Sequence, residues 1–156
     1  MNSVQILAAD PQADLQIVRS LFQEYADSLQ IDLCFQNFQE ELATLPGKYA
    51  PPSGRLFLAC QGDRVAGCVG LRAIDSDVAE MKRLYVRPAF RGTGTGRLLA
   101  NAIIESARRI GYARIRLDTL ATMKEAIALY LSLGFQAIAP YYDNPSGSAR
   151  FFELKL

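Results

Sequence analysis

The run MKRLYVRPAFRGTGTGRLLA, residues 81–100, constrains the fold of this chain more than any other stretch. An apolar strand-like segment is followed by glycines at 92, 94 and 96 and then by a helix-like segment, with no acidic residue anywhere in it. Where a strand turns through glycines into a helix, the first backbone N–H groups have no helical partner, and they point outward where the helix dipole favours negative charge. Missing side chains at the glycines let phosphate oxygens approach the amides, while Arg87, Arg91 and Arg97 add positive charge. A diphosphate suits such a bend. Charge-assisted hydrogen bonds contribute roughly 1.5–3 kcal/mol each and the dipole about 0.3–2 kcal/mol more, enough for three of them to anchor a ligand. A tight turn would also explain an isolated glycine cluster, so its surroundings must decide.

Two common phosphate loops do not fit. Counting GxGxxG from Gly92 reaches Arg97 at the third glycine, and counting from Gly94 reaches Leu99. Asp118, near the end of the next strand-like run, keeps a dinucleotide reading faintly open. No GK[ST] follows the glycines, so a Walker A loop is absent.

Composition narrows the chemistry. The 156 residues, half of them apolar, match one ordinary globular domain, residues 1–156, with a core of its own. Histidine is absent, which removes Ser-His-Asp triads, Cys-His pairs and His-ligated metals, so proton transfer falls to Glu, Asp, Tyr or Lys. Cys34, Cys60 and Cys68 are odd in number and far apart, which speaks against a disulfide framework and against a metal site. A formal charge of +1 gives no general attraction to nucleic acid or anionic membrane. The start lacks a basic region leading into a long apolar stretch, and no apolar run reaches about 18 residues, so the expected location is cytoplasmic.

Along the chain, VQILAA (4–9) reads as a strand, and Asp10 with Pro11 as the start of a helix whose inner face carries Leu15, Val18, Leu21, Phe22 and Tyr25. FQEELATLP (38–46) reads as a short helix, and residues 47–54 as a loop. Strands at 55–61 and 64–74 flank a Gly62-Asp63 hairpin turn, and 78–86 is the next strand. A helix from Gly94 to Ile110 turns Leu98, Leu99, Ala102, Ile103 and Ile110 inward and stops at Gly111. After a strand at 114–120, Thr122 and Glu125 form a capping box for a helix through Leu133. Two closing strands flank the polar loop YYDNPSGS, residues 141–148.

From Arg91, the sequence Arg-Gly-Thr-Gly-Thr-Gly matches the Arg/Gln-x-x-Gly-x-Gly/Ala pattern, and AIALYLSLGF matches Ala-x-x-Leu-Tyr-x-x-x-Gly-Phe. Here the chain resembles the GNAT family of acetyl-CoA-dependent N-acetyltransferases. The two signatures and the elements between them span residues 80–135, and the order of the remaining elements agrees. The resemblance implies an α/β fold, an α+β mixed sheet of about seven strands with four helices, splayed between strands four and five. Acetyl-CoA would lie in that gap as cosubstrate, without a metal. Its pantetheine arm would meet Leu84, Tyr85 and Val86, and its pyrophosphate would meet the amides of Arg91, Gly92, Thr93, Gly94, Thr95, Gly96 and Arg97. The Asn that many members carry after strand five is replaced here by LDTLATMKEA.

Transfer to an amine requires the amine to lose a proton and the departing thiolate to gain one. Tyr130 occupies the signature tyrosine position, which implies a general acid in contact with the cofactor, although it also fits the apolar stripe of its helix. Glu80, eleven residues ahead of Arg91, stands where some branches of the family place a catalytic carboxylate, and a water could relay its proton. A backbone amide near Leu84 or Tyr85 is the natural donor to the thioester carbonyl. For the acceptor, a small-molecule or peptide amine, the candidates are Tyr25, Arg72, Tyr142 and Asp143, with Tyr141 and Asn144 in the same loop. The competing readings are an acyl-CoA sensor without turnover and a nucleotide oxidoreductase. The resemblance allows a homodimer, though no apolar seam in the sequence requires one.

Overall fold

The computed structural model describes residues 3–29, 33 and 37–156. Among them the order of elements is β1 (Val4–Ala8), α1 (Leu15–Leu29), α2 (Phe38–Ala43), β2 (Arg55–Gln61), β3 (Arg64–Ala73), β4 (Val78–Val86), α3 (Thr95–Ile110), β5 (Arg114–Leu120), α4 (Lys124–Ser132), β6 (Gln136–Ile138) and β7 (Ala149–Lys155). The seven strands form one mixed sheet in the order β1-β2-β3-β4-β5-β7-β6. No helix among the described residues is long and apolar enough to cross a membrane.

Side-chain alternation along the strands divides the core between the two faces of the sheet. Leu56, Leu58 and Cys68 pack with Val18, Leu21 and Phe22 of α1 and with Phe38 and Leu42 of α2. On the opposite face Ala59, Val69, Leu71, Ala79 and Met81 pack with Leu99, Ile103 and Ala107 of α3, and Tyr130 of α4 joins them.

Two irregularities of β4 create the site. Its parallel pairing with β5 covers only Val78, Ala79 and Glu80, opposite Arg114, Ile115 and Arg116. Beyond Glu80 the strands diverge, because β5 continues in full register with β7. The expected splay is therefore present. Between Cys68 and Gly70 the β3–β4 register also shifts, as Cys68 faces Tyr85 whereas Gly70 faces Lys82. The extra residue lies on β4, where Arg83 has φ 60. A bulge of this kind inverts the alternation. Ala79 and Met81 face α3, yet Tyr85, two pleats later, packs with the α1 and α2 cluster.

Several local expectations need correction. Helix α1 begins at Leu15, not after Asp10. The Asp10 carboxylate instead accepts the N–H groups of Gln12 and Ala13 in a separate turn, and the Asp14 carbonyl accepts from Val18. Gly94 precedes α3 as its N-cap. Leu98 is 44% exposed, whereas Ala100, Ile104 and Ala107 are buried, so the inner stripe of α3 is rotated from the expected one. The N-cap of α4 is Met123 with no side-chain bond, so Thr122 does not close a capping box. Residues 47–49, expected as loop, form a short 3-10 turn. Cys60 and Cys68 are free thiols, and Cys34 lies outside the described residues.

Candidate active site

The bend between β4 and α3 is built by backbone conformation. Gly92 has φ 78 and Gly94 φ 83, values that only glycine adopts without strain. The first bond of α3 runs from Leu98 N–H to the Gly94 carbonyl, 3.1 Å. The amides from Gly92 to Arg97 find no acceptor among the described residues, so a run of donors converges on one point at a helix N-terminus. Thr93 donates its hydroxyl to the Phe90 carbonyl at 2.6 Å and lies 2.9 Å from the buried Thr95 hydroxyl. These two threonines brace the inside of the loop. Arg91 donates from Nε to the Val86 carbonyl at 2.9 Å, with its guanidinium over the Tyr85 ring. Arg97 reaches Ser132 Oγ at 2.8 Å. Arg87 is paired with Glu24 of α1 at 2.8 Å, so its charge is already offset.

The divergence of β4 and β5 opens a cleft of about 560 Å³ leading from this bend toward the sheet. Leu84, Tyr85 and Val86 form one wall and Ala126, Leu129 and Tyr130 of α4 the other, with Arg91, Gly92, Gly94, Thr95 and Gly96 at the end. Thr93 and Arg97 do not line it. Tyr25, Leu84, Met123 and Tyr130 are also walls of a smaller chamber of about 30 Å³ deeper between the strands.

Tyr130 sits where cleft and chamber meet. Its ring packs at 5.8 Å from Phe135 and 6.4 Å from Phe152, which fixes its position. Its hydroxyl has no hydrogen-bond partner among the described residues and is not sealed from solvent, so it faces the open space. Burial pushes its ionisation far above that of an ordinary phenol. The group therefore remains a proton-bearing donor at any working pH.

The chamber floor carries charge. Lys82 and Arg83 line it together with Asp118 of β5 and Asn144, and both cations are at least 95% buried. Lys82 Nζ lies 3.2 Å from Asp118 Oδ1 and 3.9 Å from Glu80 Oε2. Arg83 donates from Nε and Nη2 to the two oxygens of Glu41 on α2, each at 3.0 Å. Glu80 accepts from Arg72 Nε at 2.9 Å and from the Tyr141 hydroxyl at 2.6 Å, and Asp118 accepts from the Tyr142 hydroxyl at 2.6 Å. Asn144 in turn donates to the Tyr142 hydroxyl at 2.9 Å.

Titration in this network follows from burial set against partners. Burial would raise Asp118, but the Lys82 ammonium and the Tyr142 bond outweigh it and hold the carboxyl below its ordinary range. Burial would likewise raise Glu41, and the Arg83 fork holds it low. Burial pushes Lys82 down from its high ordinary value, with Glu80 and Asp118 opposing the shift. Tyr25 is pushed up to about 12 by burial.

The positions nominated from the sequence separate into groups. Leu84, Tyr85, Val86, Arg91, Gly92, Gly94, Thr95, Gly96 and Tyr130 converge on the cleft. Tyr25 lines both cleft and chamber, and Tyr142 reaches the chamber through Asp118. Glu80 lines neither space, and Arg72 opens on a separate groove beside Glu41. Asp143 is exposed and lines no cavity, in contrast to its neighbour Asn144. Sequence reasoning missed Lys82, Arg83 and Glu41, and noted Asp118 only as a faint dinucleotide signal. Two adjacent cations in a strand that is apolar apart from them and Glu80 are the visible clue.

Unpaired amides at the bend, an open strand edge beside Leu84 to Val86, and a cleft joining them fit a diphosphate cofactor with an extended arm. Among the described residues no group of three or more His, Cys, Asp or Glu could hold a metal ion. A cleft of this form between splayed strands is one that a transferase using such a cosubstrate requires. The Acetyltransferase (GNAT) family model matches residues 16–135. An uncharacterised N-acetyltransferase of Schizosaccharomyces pombe is 39% identical over 99% of this chain and 96% of its own. Among solved structures, an acetyltransferase from Streptococcus agalactiae superposes with TM-score 0.78 at 23% identity over 100% of both chains. A putative acetyltransferase of Salmonella typhimurium, solved with acetyl-CoA, gives 0.70 at 22% identity over 99% of this chain and 94% of its own. The chain belongs to the GNAT family and is an acetyl-CoA-dependent acetyltransferase.

Proposed function

We propose that this chain transfers the acetyl group of acetyl-CoA directly to a primary amine, with donor and acceptor bound together across the splay of β4 and β5. One observation carries the reading: the cleft joins the unpaired amides of the bend to the Tyr130 hydroxyl without interruption. Gly92 to Gly96 hold the pyrophosphate, and Leu84 to Val86 hold the arm by main-chain bonds. When bound, acetyl-CoA supplies an acetyl group activated as a thioester.

The nitrogen of the neutral amine bonds to the acetyl carbonyl carbon and gives up one proton to solvent water, the carbon–sulfur bond breaks, and Tyr130 gives its proton to the sulfur. Tyr130 is recharged from solvent. An isolated phenol with so high a pKa would be a reluctant acid, but the same water-poor cleft also raises the basicity of the thiolate, so the two shifts partly cancel. On the acceptor side, Asp118 is the carboxylate that lines the chamber among the described residues. Glu80 acts through Lys82, and its bonds to Arg72 and Tyr141 make it a positioning residue.

Incubating the protein with acetyl-CoA and a panel of amines tests this reading, with free thiol release and a one-acetyl mass gain as readouts. Turnover of at least one amine is expected. Tight acetyl-CoA binding with no acetylated product from any amine would favour a sensor.

A further inference from the structure

We propose that the Tyr25 hydroxyl is a second side-chain donor to the reacting thioester: it binds the acetyl carbonyl oxygen from the α1 face of the sheet, while Tyr130 serves the sulfur from the α4 face. This rests on the acetyltransferase reading above. Tyr25 borders the same cleft as Tyr130, Leu84 and Tyr85. Its hydroxyl has no hydrogen-bond partner among the described residues and is not sealed from solvent. A half-buried hydroxyl so placed is left for water or a ligand to satisfy. The ring is held level with Leu84. Tyr85 meets it edge to face at 6.3 Å, and the Arg83 guanidinium lies 5.9 Å from its centre. Those two residues flank Leu84 on the α1 side, whereas Leu84 itself packs with the α3 cluster to which Tyr130 belongs. Leu21, Phe22 and Ala26 are buried around this turn of α1, so the phenol is in place before a ligand arrives.

The arm that starts at the bend runs back past Val86 and Tyr85, so its reactive end arrives at Leu84, where the two hydroxyls approach the gap from opposite faces. Burial raises Tyr130 most and the Tyr25 phenol adds to it, as expected of two hydroxyls that face one space. A thioester under attack gains negative charge at two atoms in turn. The oxygen takes it as the carbon–nitrogen bond forms, and the sulfur takes it as the carbon–sulfur bond breaks. A strand-edge amide occupies one acceptor position of the carbonyl oxygen and leaves another for a second donor. Burial pushes Tyr25 up to about 12, so it is a neutral donor at working pH and keeps its proton throughout. Its bond to the oxygen tightens as charge develops and relaxes once the thiolate leaves, which lowers the barrier without strengthening ground-state binding to the same extent.

The test is the carbonyl stretch of acetyl-CoA labelled with carbon-13 at the carbonyl, recorded by difference infrared spectroscopy on the whole chain without any amine. On the wild type the band should lie below its position in free solution. Tyr25→Phe should move it part of the way back, and Tyr130→Phe should leave it at the wild-type frequency. Tyr25→Phe keeps the ring contacts and removes no hydrogen bond among the described residues, so it is expected to fold, and the band needs no turnover. With an amine found in the panel, the same variant should lower kcat by about 10²-fold, with KM for the amine and acetyl-CoA affinity within about twofold of wild type. A band that Tyr25→Phe does not move would overturn the proposal. So would an unchanged kcat with a raised KM for the amine, which would put Tyr25 against the acceptor instead. Failure of acetyl-CoA to bind the wild type would bring down the acetyltransferase reading, and this proposal with it.

Discussion

The two ends of the cleft are made by different means. At the bend, the unpaired groups are main-chain amides, and the side chains of Thr93 and Thr95 brace the loop from inside. At the chamber floor, side chains from α2, β3, β4, β5 and the loop before β7 meet in one ion-paired network. A backbone site depends on two dihedral angles and tolerates many side chains nearby. A buried charge network is intolerant, because removing one partner leaves another uncompensated. The bend can therefore be built by many sequences that keep its glycines, whereas the floor depends on the identity of each of its side chains.

Tyr130 stands at the junction, and replacing it gives the largest expected effect. Tyr130→Phe keeps the ring contacts with Phe135 and Phe152 and removes only the hydroxyl. Turnover should fall by about 10²–10⁴-fold, the range for a general acid, while coenzyme A affinity by calorimetry stays near wild type. Equal kcat would take the proton-donor role away from this residue.

Next in size is a break in the floor. Glu41→Gln removes the carboxylate that grips buried Arg83 through two hydrogen bonds and should cost roughly 3–5 kcal/mol of stability at neutral pH. The folded-state pKa of Glu41 lies below its unfolded value of about 4.3, so its contribution is complete above that value and fades as the pH falls through the folded one. Denaturant melts of both proteins should therefore converge as pH drops below about 4. A constant gap down to strongly acidic pH would show that the loss arises from packing.

How much of each end could be read in advance follows from the same contrast. The bend is contained in one continuous segment, so glycine spacing and the following amphipathic helix identified it, and the Ala-x-x-Leu-Tyr signature located Tyr130. The floor depends on pairs remote in sequence: Arg83 and Glu41 are 42 positions apart, and Tyr141 and Glu80 are 61 apart. No glycine or proline marks the bulge at Arg83, and ordinary alternation would have turned that residue to the other face. Glu80 was noticed for its offset from Arg91, but its pairing with Arg72 and Tyr141 exists only once β3 and the last loop are in place. The same limit explains Thr122: the capping pattern was present, but α4 starts one residue later than that pattern requires.

At the bend, the glycines should prove unequal. Gly94→Val forces a β-branched residue into φ 83 and aims its side chain into open space at the end of the cleft. Backbone strain of about 1–3 kcal/mol is expected, and coenzyme A affinity should weaken while kcat at saturation changes little. An unchanged dissociation constant would detach the pyrophosphate from this bend.

Gly96 offers the finest discrimination, because the signature pattern treats it like its neighbours and the structure does not. It lies inside the first turn of α3 without a positive φ, and an added Cβ would meet Leu129 Cδ2 at 3.6 Å and Val86 Cγ2 at 3.8 Å, both ordinary contacts. Alanine also removes the entropic cost of glycine in a helix, worth about 0.5–1 kcal/mol. Gly96→Ala should therefore leave stability equal or raised by up to about 1 kcal/mol, with coenzyme A affinity within about twofold, since its methyl group points at α4 and away from the converging amides. A loss of affinity as large as that of Gly94→Val would mean that bound phosphate pulls the loop closer to α4 than it lies here, and that side-chain clearance matters at the bend as much as backbone angle.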